Sequence, residues 1–361
     1  MRRIPLVLLT LGLTSGLAAC QSEAGQTAGG ATAPDSPAGA ADPATARPER
    51  RTFRDWTVTC GNDGTCTAFG GVESGTGWLR IAMPAGPEAV PVVDLGIGMD
   101  TDSLEPTVTI DGRAYGLEVA DGVARVSAEQ ARALIAALAG GRTATVGGEE
   151  GMTLSVSGVS AALLWIDERQ GRLDTVTALI RKGDAPASSV PAAPALPVVA
   201  AAPAVAQTGM KNGTQLPDAV EDLAKVRTCR GETDFSPDFQ YATQHYRLAA
   251  DTVLWGVPCF MGAYNTGYLY VLTDSAGAAP RIITLPTTGE AIETPINSDY
   301  DPATRRLEAF GKGRGLGDCG TVHQWIWTGR EFLLEHERLM EACMGVTADL
   351  WPVTWATRPA T

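Results

Sequence analysis

The sequence has few basic residues, few histidines and none of the common catalytic motifs. Its 28 Lys and Arg residues are outnumbered by 41 Asp and Glu, a net charge of −13, which argues against nucleic acid because cations supply most of that affinity. Three scattered histidines and the lack of a Cys-x-x-Cys pair argue against zinc. Gly-x-Ser-x-Gly, Ser-x-x-Lys and Walker motifs are missing as well. We therefore predict no cofactor, no metal ion and no nucleic-acid partner.

The chain has enough apolar residues to form a hydrophobic core. Two of its segments consist mainly of small residues and prolines and are not expected to contribute to that core. Its 361 residues, 44% of them hydrophobic, suit two domains plus tails. Residues 20–50 are rich in Ala, Gly, Pro and Ser and are expected to form a disordered tether. Residues 184–210 are a Pro/Ala-rich linker, in which four prolines argue against a membrane-spanning helix. The predicted domains are residues 51–183 and 211–358.

The N-terminus has the anatomy of an export signal. A short cationic start precedes an apolar stretch over residues 4–13, too short to span a membrane. The sequence Leu17-Ala18-Ala19-Cys20 resembles the lipobox of bacterial lipoproteins, which implies removal of residues 1–19 and lipid on Cys20. Gln21, rather than Asp, then favours the outer membrane. The alternative is an ordinary signal that leaves Cys20 as a free thiol. We expect an exported protein that the lipid holds on the membrane, facing either the periplasm or the cell surface.

Lipidation of one of the seven cysteines leaves an even set of six, which in an exported chain indicates disulfides. Six cysteines allow 15 connectivities, and their spacing favours neighbours. Cys60 and Cys66 flank a turn-rich loop between two alternating segments and are expected to face each other across a hairpin. The remaining predicted pairs are Cys229 with Cys259 and Cys319 with Cys343.

Hydrophobic periodicity predicts an α+β fold that is mostly β, with two helices packed on antiparallel sheet in the first domain. Those helices are expected over residues 127–140, with a Ser127–Gln130 capping box, and 157–170. A short helix over residues 219–226 opens the second domain. Strands are expected at residues 53–60, from 66, 78–83, 90–97, 106–110, 115–119, 174–181, 252–259, 268–273, 281–285, 322–327 and 331–338.

Several motifs resemble known bacterial families. The pattern Phe-x-Asp-Trp-x-Val-x-Cys over residues 53–60 is similar to secreted proteins of the invasion-associated locus B type. Nearly all of the chain outside the tether and the linker resembles the bacterial domain-of-unknown-function family numbered eleven-seventy-six. That second resemblance implies an exported protein but, because the family has no established activity, catalytic residues or ligand, it adds little about mechanism. The segments that carry it are residues 161–172, 178–183, 300–302, 312–320, 325–327, Cys343 and 351–352.

Two groups of residues are candidates for binding. Trp325 and Trp327 share one face of a predicted strand, where they line a sugar- or peptide-binding groove or form half of a sandwich core. The glycine-rich loop around Lys312 and Arg314 offers two cations and free backbone amides, which suit an anion. The simpler interpretation of that loop is a turn leading to Cys319.

Acidic residues supply weaker candidates. Asn297, Asp299, Asp301 and Glu308 have the side-chain spacing of a calcium loop, but the proline after Asp301 favours a hairpin turn. Around Asp167 the second helix carries a charged patch, for which we predict a solvated or ion-paired face.

Together these features predict a lipid-anchored envelope protein that acts by binding an envelope protein or glycan rather than by catalysis. One alternative is a cell-wall hydrolase that uses carboxylates such as Asp318, Glu335 or Asp167. The other is an inhibitor of a basic host lysozyme, whose association the acidic charge would favour.

Overall fold

The structure is a computed structural model of the whole chain, and the part described here lies within the unit that spans Ala40–Thr361. Predicted features outside it, including the signal, Cys20 and most of the tether, lie outside the described residues. None of the helices in the described part is long and apolar enough to cross a membrane. The described residues are 48–73, 76–97, 106–120, 123–148, 151–233 and 243–360.

The N-terminal half contains two antiparallel sheets. The larger has the strand order β1-β2-β3-β4-β5-β9-β8 and the smaller the order β11-β10-β6-β7. Strands β2 and β3 are buried on both faces, because Val58 and Ala68 belong to the main core of this half and Phe69 belongs to a second cluster. The strands are β1 (Glu49–Phe53), β2 (Trp56–Cys60), β3 (Cys66–Gly71), β4 (Gly77–Met83), β5 (Val92–Ile97), β6 (Thr107–Ile110), β7 (Arg113–Gly116), β8 (Glu118–Ala120), β9 (Val123–Arg125), β10 (Ala144–Val146) and β11 (Met152–Thr153).

Two helices cover the larger sheet, as predicted. Helix α1 (Ala128–Gly140) buries Leu134 and Leu138, and α2 (Val159–Arg169) buries Leu163, in one core with the strands. The predicted capping box is wrong, because the Ser127 side chain makes no capping hydrogen bond. The predicted strand over residues 174–181 is also wrong. That segment is a series of turns whose backbone amides donate to the side chain of Asp167 in α2, as described below.

The C-terminal half begins with two short helices, α3 (Asp218–Glu221) and α4 (Ala224–Thr233), where one was predicted. Its two main sheets have the orders β13-β14-β15-β16 and β17-β18-β19-β20-β21, all antiparallel. Ahead of them, β12 pairs in parallel with β22. The strands are β12 (Val198–Val199), β13 (Gln244–Ala249), β14 (Thr252–Met261), β15 (Thr266–Thr273), β16 (Arg281–Ile282), β17 (Asp299–Asp301), β18 (Arg306–Lys312), β19 (Gly320–Trp327), β20 (Phe332–Met340), β21 (Val353–Ala356) and β22 (Arg358–Pro359).

Strand β14 is buried on both faces, and this places it at the centre of the C-terminal half. Val253, Trp255 and Val257 face a core with α3 and α4. Leu254 faces the opposite way, into a core shared with the β17–β21 sheet. The alternation of neighbouring side chains along a strand therefore gives this sheet one helical cover and one sheet cover.

All three predicted disulfides are present. Cys60–Cys66 closes the β2–β3 hairpin, Cys229–Cys259 ties α4 to β14, and Cys319–Cys343 joins the segments that flank β19 and β20. The mostly β, disulfide-stapled α+β fold predicted from the sequence is thus confirmed.

The Cys60–Cys66 loop also connects the two halves. The Asn62 side-chain amide donates to the Ala356 carbonyl, and its oxygen accepts from the Ala356 amide, both at 2.8 Å. A separate apolar cluster joins Trp78 of the first half to Trp351 of the second. The short disulfide therefore holds a docking loop as well as a hairpin.

Candidate functional site

A cavity of about 440 Å³ opens between the two sheets of the C-terminal half. This volume falls within the range of about 300–1,000 Å³ typical of ligand sites. Most of its wall is apolar and comes from the inward-facing residues of strands β15, β19, β20 and β21. The principal apolar lining residues are Leu272, Ile283, Trp327, Phe332, Leu334 and Trp355.

The predicted Pro/Ala linker supplies another part of the wall. Pro197 and Val199 line the cavity, and the Val198–Val199 strand pairs with Arg358–Pro359. Further along, the Ala202 amide donates to the Trp327 carbonyl at 2.8 Å. Residues 197–202 thus run along the open end of the sheets and close one side of the cavity.

Two polar atoms in the lining residues have no hydrogen-bond partner among the described residues. They are Nε1 of Trp327 and Oγ1 of Thr357. The neighbouring indoles differ in this respect, because Trp325 Nε1 donates to the Pro286 carbonyl at 2.6 Å and Trp355 Nε1 to the Leu334 carbonyl at 3.1 Å. Both atoms are themselves buried, so they are exceptions to the rule that buried polar groups are hydrogen-bonded.

The mouth of the cavity carries one cation and one anion. Arg281 and Glu331 are the charged residues among the described lining residues, and both are exposed. Glu331 pairs with Arg330 at 2.7 Å, whereas Arg281 forms no ion pair within the described part of the chain. The entrance therefore carries a guanidinium without an ion pair beside a carboxylate that already has one.

Of the two predicted tryptophans, only Trp327 lines this cavity. Trp325 is 0% exposed and lies within the core between the sheets, and Trp327 is 2% exposed. Both are therefore core side chains rather than an exposed aromatic shelf, and Trp327 contributes its edge of the core to the cavity wall.

The glycine-rich loop places Lys312 and Arg314 away from the cavity. Arg314 forms an ion pair with Asp318 through two guanidinium nitrogens, one of them Nε at 2.7 Å from Oδ1. The ammonium of Lys312 lies over the Phe310 ring, 5.7 Å from its centroid. Backbone amides of the loop are also engaged, since the Gly313 amide donates to the Cys319 carbonyl. The geometry matches the simpler interpretation, a turn leading to the disulfide.

The predicted carboxylates hold structure together. Asp318 accepts from Arg314 and from the Gly345 amide, and Glu335 accepts two bonds from Arg306. Asp318 is also the one carboxylate within metal-binding distance of two cysteines among the described residues, but those cysteines form the third disulfide. Both carboxylates thus have partners, and neither Asp318 nor Glu335 lines the cavity.

The predicted solvated or ion-paired face of the second helix is correct for Arg169, which pairs with Glu49 at 3.0 Å, but wrong for Asp167. Asp167 is 0% exposed, and its carboxylate accepts from the backbone amides of Leu179 at 2.7 Å and Ile180 at 2.8 Å. Arg172 is also 0% exposed and donates to the carbonyls of Pro84 and Gly86. Burial lowers the pKa of Arg172. The charges act as internal clamps on the turns that follow α2.

The segment with calcium-loop spacing forms the β17–β18 hairpin, so the turn interpretation is confirmed. Asp301 accepts from the Ala303 amide and the Thr304 hydroxyl, which lowers its pKa. Asp299 accepts from the Tyr246 hydroxyl at 2.6 Å. Both carboxylates therefore have protein partners.

A buried polar cluster that joins β19, β20 and β21 was not predicted from the sequence. Glu337, 4% exposed, lies opposite His323 on the neighbouring strand, with 3.3 Å between His Nε2 and Glu Oε2. It also accepts from the hydroxyls of Thr288 and Thr354. Burial alone would raise the pKa of Glu337, but hydrogen bonds from His323, Thr288 and Thr354 outweigh it and lower the pKa from 4.5 to about 2. The ionised carboxylate ties three elements together.

Fold and site together define a mostly β, disulfide-stapled protein with an open, largely apolar cavity between two sheets. A family model described as "Protein of unknown function (DUF1176)" matches residues 50–358, and the chain belongs to this family. A relative named "Uncharacterized protein YpfG", from Escherichia coli strain K12, is 29% identical over 343 residues, covering 87% of this chain and 94% of the relative. No solved structure matches the chain. The similarity to invasion-associated locus B proteins stays a prediction.

Proposed function

We propose that the protein is a lipid-anchored component of the bacterial cell envelope that acts by binding rather than by catalysis. The observation that carries the binding role is the apolar cavity of about 440 Å³ beside Trp327. Such a cavity, with few polar groups in an apolar wall, is the usual form of a small-molecule site. The carboxylates considered for hydrolysis are held in ion pairs or backbone hydrogen bonds.

The anchor is proposed from the sequence. Cys20 follows an apolar segment and a lipobox-like Leu-Ala-Ala, and several acyl chains on one residue suffice for stable membrane attachment. Cys20→Ser is expected to move the protein from the membrane fraction to the soluble envelope fraction. Persistence of the variant in membranes would contradict the anchor.

The binding role is tested by capture from solubilised bacterial envelopes. The Cys20→Ser protein is immobilised, washed, and extracted for bound lipids, glycans and proteins, which are identified by mass spectrometry. Ala291→Trp places a large side chain in the exposed mouth of the cavity, and Ala276→Trp places the same side chain on an exposed turn that does not line it. A ligand lost with the first variant and kept with the second supports the proposal. Recovery of the same material with all three proteins, or of none, would refute it.

A further inference from the structure

We propose that the folded part of the chain docks on the surface of a phospholipid bilayer through the turn between β14 and β15 and the neighbouring glycine-rich loop. The inference goes beyond the proposed anchor, because it concerns folded residues and is tested on protein that carries no lipid. The side chains of this docking patch are those of Phe260, Met261, Tyr264, Lys312 and Leu316.

Exposed apolar side chains are concentrated in the docking patch. Nine large hydrophobic side chains are exposed in the described part of the chain, and four of them lie here, each between 38% and 53% exposed. The other five are spread over the sequence between Val90 and Val198. Residues 260–264 are five exposed residues in a row, Phe-Met-Gly-Ala-Tyr, none of them charged. Single exposed apolar residues are normal, but a group of them marks a contact with a partner or a membrane.

Hydrogen bonds hold the two loops of the docking patch side by side. The Asn265 side-chain amide donates to the Lys312 carbonyl at 2.8 Å, and the Asn265 side-chain oxygen accepts from the Lys312 amide at 3.2 Å. The Gly262 amide donates to the Asn265 carbonyl at 2.7 Å and closes the turn. The Tyr264 ring comes within 3.5 Å of the position that a Cβ on Gly315 would occupy. The apolar side chains therefore form one surface on a fixed backbone.

The charge of the two loops is opposite in sign to that of the chain. Residues 260–266 are uncharged, and the acidic residue of the glycine-rich loop, Asp318, is buried and accepts from Arg314. Lys312 forms no ion pair among the described residues, and Glu308 lies four residues before it on β18, about 13 Å along an extended strand. That separation exceeds the screening length of about 8 Å at physiological ionic strength. In a chain with a net charge of −13, an anionic headgroup at this patch therefore meets a cation.

A bilayer fits the docking patch better than a protein partner does. A standard protein interface involves about 20–30 residues on each side, whereas the patch offers four apolar side chains on two loops. Insertion at a bilayer interface needs only such a group. Phe260, Met261 and Leu316 suit the acyl boundary. Tyr264 and Lys312 suit the headgroup level, where an apolar body is buried and a polar end stays in water.

The predicted tether gives such a contact a purpose. From Cys20 to the first described residue the chain spans about 30 Å as a random coil, so a lipid on Cys20 leaves open which face of the protein meets the membrane. The same lipid keeps the docking patch near the bilayer at an effective concentration on the order of millimolar, at which a weak contact is occupied. The patch thus sets the orientation of the folded part.

The test measures how the Cys20→Ser protein partitions onto vesicles of phosphatidylethanolamine and phosphatidylglycerol, by sedimentation. We expect an association constant on the order of 10³ M⁻¹, weaker than the value of about 10⁴ M⁻¹ for a myristoyl chain. Hydrogen exchange of the amides in residues 260–264 and 315–316 is expected to slow when the vesicles are present. Absence of partition up to about 10 mM lipid, or slowed exchange elsewhere but not in these two loops, would overturn the proposal.

Matched variants locate the contact. Met261→Ser combined with Leu316→Ser is expected to weaken partition at least about 5-fold, whereas Leu164→Ser combined with Val176→Ser, at exposed apolar residues elsewhere, should change it by less than about 2-fold. Equal losses for the two pairs would refute a specific patch. If the first pair lacks a cooperative unfolding transition in urea, Leu316→Ser alone is compared with Leu164→Ser.

The cation is tested in the same assay. Lys312→Gln is expected to weaken partition about 2- to 5-fold, and Lys182→Gln, at an exposed lysine outside the docking patch, should leave it unchanged. Equal effects would exclude Lys312 from the contact. At the expected strength the contact is lost when membranes are washed, so the Cys20→Ser protein still leaves the membrane fraction. The anchor and the docking patch are therefore tested separately.

Discussion

Glu337 gives the sharpest prediction, because one buried carboxylate joins three elements of the C-terminal half. It accepts hydrogen bonds from His323 on β19, from Thr288 in the loop that precedes β17, and from Thr354 on β21. The Thr288 amide adds a further bond at 3.1 Å. The ionised form is therefore stabilised in the folded protein by donors that the unfolded chain replaces with water.

The magnitude follows from the shift in pKa. A fall from 4.5 to about 2 corresponds to about 3 kcal/mol, since one unit is worth about 1.4 kcal/mol. Because the folded-state pKa lies below the unfolded value, this stabilisation is complete above the unfolded pKa and is lost as the pH falls toward the folded pKa. Linkage places about 2 kcal/mol of that loss between about pH 6 and pH 3.

The assay is the free energy of unfolding in urea for the Cys20→Ser protein and for the same protein with Glu337→Gln, across that pH range. Glu337→Gln is expected to be less stable at neutral pH by about 2–3 kcal/mol, and the difference should shrink as the pH falls. Thr354→Val removes one donor to Glu337, so in that background the stability difference that Glu337→Gln causes should be partly reduced. Thr354→Ser keeps the hydroxyl and should leave the difference unchanged. A difference that is constant with pH would refute the low pKa of Glu337.

Two further predictions concern buried features near α2. Asp167→Asn places an amide N–H against backbone amides that the carboxylate now accepts from, and should lower the free energy of unfolding by about 2–4 kcal/mol. The control Asp174→Asn, at an exposed ion pair, should change that free energy by less than about 0.5 kcal/mol. Equal effects of the two variants would contradict the structural role of Asp167. Gly158→Ala should cost more than about 2 kcal/mol, because Gly158 has a φ of 97° and its added Cβ would collide with the Phe53 carbonyl. Gly140→Ala, in open space at the end of α1, should stabilise by about 0.5–1 kcal/mol in the same urea titration, and a neutral Gly158→Ala would show that the backbone there is not constrained.

The features predicted correctly depend on residues close in the sequence. The Cys60–Cys66 hairpin and the two helices over the first sheet follow from turn composition and from periods of two and 3.6 residues. The other two disulfides were also found from spacing, since loops of 24 and 30 residues are the shortest way to pair the remaining cysteines.

The helical spacing of residues in α2 indicates that Asp167 is buried, although its charge suggests that it is exposed. It lies four residues after Leu163, on the edge of the apolar face of α2, so helical spacing alone would place it inward. Its charge led to the opposite prediction. Arg172 had no such signal, because the carbonyls that accept from it belong to Pro84 and Gly86, more than 80 residues earlier in the chain.

The candidate site shows most clearly where sequence reasoning ends. The two-residue period correctly put Trp325 and Trp327 on one face of β19, and both are buried. They differ because the chain between β16 and β17 brings the Pro286 carbonyl to Trp325 and no acceptor to Trp327. That difference is created by a loop about 40 residues away in the sequence. A strand pattern predicts which face is covered, but only the fold shows which polar group on that face finds a hydrogen-bond partner.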